Sequence, residues 1–566
     1  MTGPSRRATV ALWAGIALMA AACAPAAPTP ATAPAGAPAA PAAAPAAPDA
    51  PAQQLSRLAP GTPKRSRKFI LSTHDDVTSW DNYTEGSGSR LKQYSLVQDS
   101  LLRWPPSKAG GVEGVECSLC EKWEQTNPTT YLFTLKKGIK WHNGRELVAD
   151  DFLWSYQHAN TEKPAFRYRS IFTEVDFAQS QAVDNYTLKL VVKQPYVPFI
   201  LILGDPFHAV LAKEMMASAK DEIIQEPMGT GPYIRTSYTP KVGATFKRNP
   251  DYRDKDKAFF DEIETVIIAT HSERFNAFRA GQVDDHGLFM PFETAEIIRK
   301  DAKFYEVTAP RDTPPGVWVN LRNAPFDNVK VRRALDLAVD RFAMITANYG
   351  EGFLYRWLNN AVFPAYTVSQ DELKKQPGYR VPKDQDIAQA KQLLAEAGYA
   401  QGFKTTMMVS RTGNNEKDAV LVREDWKKIG VDVTLDPQTQ TVSTERENTG
   451  QFETALISGA IVNDTLDPDK SLDRWLPKLG RNARGTGYDN PRFTELMSAQ
   501  RRETDTAKRI QIIKDIVKLM EDEVIAINTV TETYYRFWPK VCKGNIPESG
   551  YGDTVRWIAT DAWCER

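Results

Sequence analysis

The chain has 566 residues, 71 basic and 71 acidic side chains, 42% apolar residues and 10% aromatics, which suffices for two or three packed lobes and excludes a mostly disordered polymer. A formal charge of zero gives no global attraction for nucleic acid or an anionic bilayer. Six histidines, at 74, 142, 158, 208, 271 and 286, form no HxH, HExxH or CxxC…H spacing, so no zinc-ligand set is visible and no metal or cofactor is expected.

Arg6 and Arg7 precede an uncharged apolar run from Ala8 to Ala22, which at 15 residues is short of the ~20 needed to span a bilayer as a helix. Small residues Ala20, Ala21 and Ala22 then lead to Cys23. The arrangement resembles a secretory signal peptide of the bacterial lipoprotein type, over residues 1–22, with a lipid carried on Cys23. Ala20 stands where that pattern usually has leucine, so a plain secretory peptide with an incidental cysteine is the alternative. From Ala24 to Ala52 there are 16 alanines and 9 prolines, with Asp49 the only charge. Proline this frequent rules out a helix, and a stiff spacer with a reach of about 90 Å is expected. Residues 23–64 therefore read as a tether, and the folded body starts near Arg65.

In the body, Cys117 and Cys120 lie in one loop-like stretch and Cys542 and Cys564 near the C-terminus. An even number in an exported chain favours two disulfides, most simply Cys117 to Cys120 and Cys542 to Cys564. A redox-active reading of Cys117-Ser-Leu-Cys120 would need a thioredoxin-like unit, and none surrounds it. Tyr131, Phe133 and Leu135 alternate with polar residues, and Ile139 and Trp141 resume after a Lys-Lys-Gly turn, which predicts a β-meander. A helix is predicted from about Asp150 through Tyr156. Val331, Ala334, Leu335, Ala338, Val339, Phe342 and Ile345 recur at helical steps, with Asp327 as the N-cap. Ile387, Ala390, Leu393, Leu394 and Ala397 mark another helix from Asp386, with Gly398 placed for a left-handed C-cap. A last helix is predicted from about Asp505 to Glu523, with Ile510, Ile513, Val517 and Met520 inward. The fold class is mixed α/β, without an internal repeat.

Several segments then resemble a known family in the right order. They are Trp123-Glu124 with Tyr131 to Gly144 and Leu147 to Phe152; Gly229 to Tyr233; Asn249 to Tyr252; Val319 to Leu321 with Pro325 to Leu335 and Asp340-Arg341; and Ala390 to Tyr399. Together they are similar to extracellular solute-binding proteins of family 5, the oligopeptide-, dipeptide- and nickel-binding receptors of ABC importers, over most of residues 66–540. One departure is Val148, where the family usually has threonine; a valine cannot cap the following helix, which costs about 1 kcal/mol unless another residue does so.

The resemblance implies a two-lobed, hinged periplasmic-binding-protein-like fold of type II with an extra domain. Lobe I would comprise 66–104, 227–318 and 531–566, the extra domain 105–226, and lobe II 319–530, with crossings near Val317–Asn320 and Thr529–Tyr535. The implied function is capture of a peptide in the interlobe cleft and delivery to the permease subunits and ATPase of an ABC importer, by a monomer held at the membrane through its lipid and facing the periplasm or cell exterior. It is not an enzyme. In peptide-binding members a carboxylate four positions before a proline takes the ligand α-amine, and here that position is Asp464, before Pro468; a turn-capping role is the alternative. Arg411, after an apolar strand, resembles the arginine that dipeptide receptors use for the ligand carboxylate, or else is a solvated strand-end residue. Trp318, Trp357 and Trp475 are candidate cleft aromatics, with buried core the default for each.

Rival readings are a non-peptide cargo (an oligosaccharide, an opine or a nickel chelate), a lipid-anchored peptide sensor or chaperone, and a secreted hydrolase. The last finds no GxSxG elbow and no nucleophile beside a recognisable base. The mixed-sign run Asp251 to Lys257 reads as a solvated loop.

Overall fold

The computed structural model describes residues 63–77, 79–83, 88–104, 115–160, 170–220, 223–286, 290, 292–310, 314–358, 363–457, 467–477, 480–544 and 558–565. Cys23 and Asp464 lie outside these described residues.

The first lobe is built on two four-stranded sheets. In one, Ser66–Thr73 pairs in parallel with Phe260–Ile267, followed by Gly243–Arg248 and Tyr233–Thr239 in antiparallel order. The other places Cys120–Asn127, Thr130–Leu135, Thr187–Val191 and Gln181–Asp184 side by side, all antiparallel. Alternation works as predicted in Thr130–Leu135, where Tyr131, Phe133 and Leu135 are buried and their neighbours partly exposed. Ile139 and Trp141 are buried but form no further strand, because Thr187–Val191 already occupies the free edge of Thr130–Leu135. Instead the chain folds on itself through a Lys140–Glu146 bridge, and Trp141 N donates to Arg145 O at 2.8 Å around Gly144, whose φ is 89°. One core joins both sheets, through Phe69, Leu71, Phe133, Leu188, Phe246 and Phe260.

Helix Ala149–Ala159 starts at Val148 without a side-chain cap, and Asp151 compensates: its carboxylate accepts from Val148 N at 3.0 Å and is held by Arg145 at 2.9 and 2.8 Å. The chain thus meets the need of the helix terminus from inside the first turn rather than from the cap position.

The second lobe carries a five-stranded sheet in the order Val431–Gln438, Phe403–Ser410, Thr454–Ile457, Gly316–Val319, Ala526–Asn528. The first three run parallel, and Gly316–Val319 is antiparallel to both its neighbours. Successive strand residues face opposite sides. Val317, Val319, Met407, Val409 and Leu456 enter one core, with Leu335 and Trp426 on its covering helices. Trp318, Met408, Ala455 and Ile457 enter another, against Phe493, Ile513 and Met520.

The apolar pattern predicted as one helix over 331–345 divides. Helix Val329–Ala338 is capped by Asn328, not Asp327, whose side chain accepts from Lys330 N at 2.9 Å. At Val339 the backbone turns extended, Asp340 caps a new turn at Arg341–Met344, and Ile345–Tyr349 continues as a π-helix. Periodicity carries across the break because Val339 still points into the core, while Asp340 N is drawn to Asp425 at 2.7 Å. The last predicted helix forms as Thr506–Glu523, with Asp505 as its cap; Ile513, Val517 and Met520 are buried as predicted, Ile510 is only half-buried, and Gly398 is left-handed with φ 89°.

Strand Val530–Pro539 pairs with Gly352–Leu354 at its start and with Phe304–Pro310 along its remainder. Val530 belongs to a core of the second lobe, Tyr535 and Phe537 to a small cluster with Phe278 and Met290, and Trp538 to the core of the first lobe. A single strand therefore runs from one lobe to the other. Disulfides join Cys117 to Cys120 and Cys542 to Cys564.

Candidate functional site

In open α/β sheets, ligands bind in the crevice beyond the carboxyl ends of the strands. In the second lobe that edge is defined by register. Gly316 lies beside both Ile457 and Asn528, and Val409 beside Leu456, so Ser410, Ile457, Gly316 and Asn528 finish at one edge. From this edge the chain leaves for Arg411, for the segment 458–466 that contains Asp464, and for the strand that crosses to the first lobe.

Arg411 is well exposed, with 57% of its side chain accessible, and its Nε lies 3.5 Å from Glu416. The three tryptophans, by contrast, are gathered together. Trp475 stands 6.1 Å from Trp318 and 5.5 Å from Trp357, each edge to face. Trp318 fits because its strand neighbours are Ala455 and Ala526 and because Gly485 lies beneath it; a Cβ on Gly485 would sit 3.1 Å from the indole. All three rings are covered by protein, at 0, 3 and 1% exposure for Trp318, Trp357 and Trp475. Two features depart from ordinary core. Trp318 Nε1 is buried without a hydrogen-bond partner among the described residues, and Trp357 holds a φ of 61°, a left-handed conformation that bulky residues adopt only where the surroundings impose it.

A charged network that no local signal in the sequence marks surrounds Asp467. Asp467 receives Arg509 through two hydrogen bonds, 2.8 and 2.7 Å long, and caps the next turn by accepting from Asp469 N at 2.9 Å. Asp469 in turn accepts from Arg501 at 2.6 and 3.0 Å, from Gln500, and from Tyr196 Oη at 3.0 Å. Burial alone would raise the Asp469 carboxyl, but the Arg501 charge and hydrogen bonds prevail and hold it below its ordinary range. Asp473, equally buried, is pushed up by desolvation. Asp467-Pro468-Asp469 is visible in sequence as a turn, but the partners on Pro491–Arg502 and Thr506–Glu523 leave no local signal.

The facing edge of the first lobe is also charged. Where Ser66–Thr73 ends, Lys92 Nζ donates to Ser72 O at 3.2 Å and pairs with Asp285, both side chains being buried. Next to them His286 Nε2 accepts from Phe537 N at 3.2 Å, and desolvation lowers the imidazole to about 3. Because Nε2 accepts, the ring is neutral with its proton on Nδ1. The lobes meet directly at several points besides Tyr196. Phe292 packs on Gly350, Glu293 Oε1 lies 3.9 Å from Lys417 Nζ, and Arg299 Nη2 lies 3.6 Å from Glu351. Among the described residues no group of three or more His, Cys, Asp or Glu side chains converges on a metal-binding arrangement, and no helix is long and apolar enough to cross a membrane.

Residues 114–483 match the family model described as bacterial extracellular solute-binding proteins, family 5 Middle. Di/tripeptide-binding protein 1 of Pseudomonas aeruginosa is 27% identical over 455 residues, 74% of this chain and 81% of that protein. Heme-binding protein A of Haemophilus influenzae is 28% identical over 447 residues, 73% of this chain and 78% of the relative. Among solved structures, the periplasmic binding protein DppA of Helicobacter pylori in complex with the peptide STSA superposes with a TM-score of 0.74 at 22% identity, covering 89% of this chain and 99% of that one.

Proposed function

Because the chain belongs to the bacterial extracellular solute-binding proteins of family 5, we propose that it captures a short peptide between its lobes and delivers it to the permease of an ABC importer. The observation that supports this reading is the sheet edge at which Ser410, Ile457, Gly316 and Asn528 lie: from it the chain leaves toward Arg411, into the sequence after Ile457 that contains Asp464, and along the strand that crosses to the first lobe. The peptide-binding name of the Pseudomonas relative supports the same cargo.

In this reading Asp464 takes the peptide α-amine, and an analogue lacking the amine leaves a carboxylate unpaired. Arg411 takes the ligand carboxylate by exchanging Glu416 for it, an exchange of low cost for an exposed ion pair. The three tryptophans, covered by protein, support the site from within the core of the second lobe. Lobe I comprises 66–104, the chain from 227 to just before Gly316, and 531–566, with 105–226 as its extra domain; lobe II starts at Gly316 rather than at 319, because Gly316–Val319 pairs within its sheet. Closure around solute makes affinity depend on how strongly the ligand favours the closed state. Cleavage before Cys23 and lipidation there leave the monomeric body tethered outside the cytoplasmic membrane. No step of this function requires catalysis, and ATP is consumed by the transporter partner.

The heme-binding name of the Haemophilus relative favours one second reading, the same receptor carrying a non-peptide solute. Native mass spectrometry of protein purified from exporting cells separates the two. Peptides of narrow length range are expected to accompany it; a porphyrin, sugar or chelate in their place overturns the peptide reading and leaves the receptor fold untouched.

A further inference from the structure

We propose that Tyr196 is a closure latch, a positioning residue whose hydroxyl, bonded to Asp469 across the two lobes, favours the closed receptor and slows release of the ligand. The inference rests on the reading of the protein as a receptor that closes on solute.

Tyr196 belongs to the core of the first lobe and lies in the turn between strand Thr187–Val191 and helix Phe199–Leu203. Pro195 and Pro198 flank Tyr196 and Val197, so the turn reaches across with a restricted backbone. Its polar contacts with the second lobe fall on two short stretches. Tyr196 Oη donates to Asp469 Oδ2 at 3.0 Å, Val197 N donates to Arg501 O at 2.8 Å, and Arg502 donates to Gln194. The Arg501 guanidinium also sits 5.5 Å from the centre of the Tyr196 ring.

The distribution of partners makes this interface separable. Asp469 keeps Arg501, at 2.6 and 3.0 Å, and Gln500 from its own lobe. When the lobes part, the carboxylate remains compensated, and water replaces one neutral hydroxyl. A buried ion pair split between lobes would instead strand a charge and lock the structure shut. Polar, hydratable contacts of this kind suit domains that move relative to each other.

The latch also ends on a buried charged network in the second lobe. Asp469 N is bonded to Asp467, Arg509 binds Asp467, and Gln500 joins Arg509 to Asp469. Closing the lobes therefore adds a bond to the network that joins Asp467, Asp469, Gln500 and Arg509. If the contact exists only in the closed state, removing the hydroxyl lowers the closed-to-open ratio, and the apparent Kd rises by the same factor while closure is the minor state.

The test is Tyr196→Phe, which keeps the ring, in the full chain with Cys23→Ser. Nitroxide labels at Val242→Cys and Val420→Cys, exposed at 59 and 41% on opposite lobes, report the interlobe distance by pulsed electron resonance. The native cysteines 117, 120, 542 and 564 are taken up in disulfides. Without ligand, Tyr196→Phe is expected to reduce the short-distance population roughly tenfold. With a bound peptide, its dissociation rate should rise by the same factor, with association and thermal midpoint unchanged. Gln194→Ala should give a smaller shift in the same direction. An unchanged distance distribution overturns the latch, whatever happens to affinity. If no peptide binds either protein, the peptide reading fails and the ligand-free distances still decide the latch.

Discussion

Arg509 holds Asp467 by a two-point contact, 2.8 Å to Oδ2 and 2.7 Å to Oδ1, at the residue where the chain emerges from the segment that carries Asp464. Both partners are almost completely buried, with 8 and 1% of their side chains accessible. The pair holds the chain where Asp467-Pro468-Asp469 turns into helix Asp469–Asp473.

Arg509→Met is therefore expected to cost about 3–5 kcal/mol, because it leaves the Asp467 carboxylate buried without its counter-charge. Urea unfolding measures this directly. A loss below about 1 kcal/mol would mean that water reaches the carboxylate and that the anchor is not rigid.

Asp464→Ala should weaken peptide binding by roughly 10- to 150-fold, the range of a hydrogen bond to a charged group, without changing the unfolding midpoint. Calorimetric titration gives the affinity. Binding within twofold of the original would remove the α-amine role.

Acid should destabilise the protein through His286. Its folded pKa of about 3 lies below the ordinary 6.5 because burial, the first cause, outweighs the attraction of Asp285, with Lys92, His271 and Arg536 opposing the charged form further. The unfolded chain binds the proton first, so this stabilisation is complete above pH 6.5 and is lost as pH falls below it. Between pH 7 and pH 5 the loss from this residue is about 2 kcal/mol. His286→Gln should flatten the stability profile in that window; a slope equal to the original would show that the ring is solvated.

The two disulfides should contribute unequally. Cys542–Cys564 closes a separation of 22 residues and Cys117–Cys120 one of 3. Chain entropy assigns about 3 kcal/mol to the first and about 2 kcal/mol to the second. Paired serine substitutions followed by denaturant unfolding should rank them in that order.

What the sequence made legible was local. Tyr131, Phe133 and Leu135 alternate in burial because one face of a strand meets the core, and Asp505 caps its helix because the carboxylate is positioned to accept from Lys508 N, at 2.9 Å. Ordered family segments revealed the two-lobed fold. Periodicity misled where tertiary bonds intervened, as at Val339, where Asp340 is pulled toward Asp425 and breaks the helix. The site was less legible still. Asp469 and Tyr196 stand 273 positions apart, and no spacing rule connects them. The tryptophans at 318, 357 and 475 converge because Ala455, Ala526 and Gly485 make room, a complementarity of small residues that becomes visible only once the strands are in register.

In the proposed function the receptor holds a peptide by its free amine. The most direct measurement is a calorimetric comparison of the peptide recovered with the purified protein and the same peptide N-acetylated. Acetylation is expected to weaken binding at least about tenfold, through the loss of the charged partner of Asp464. Equal affinities for the two forms would contradict it.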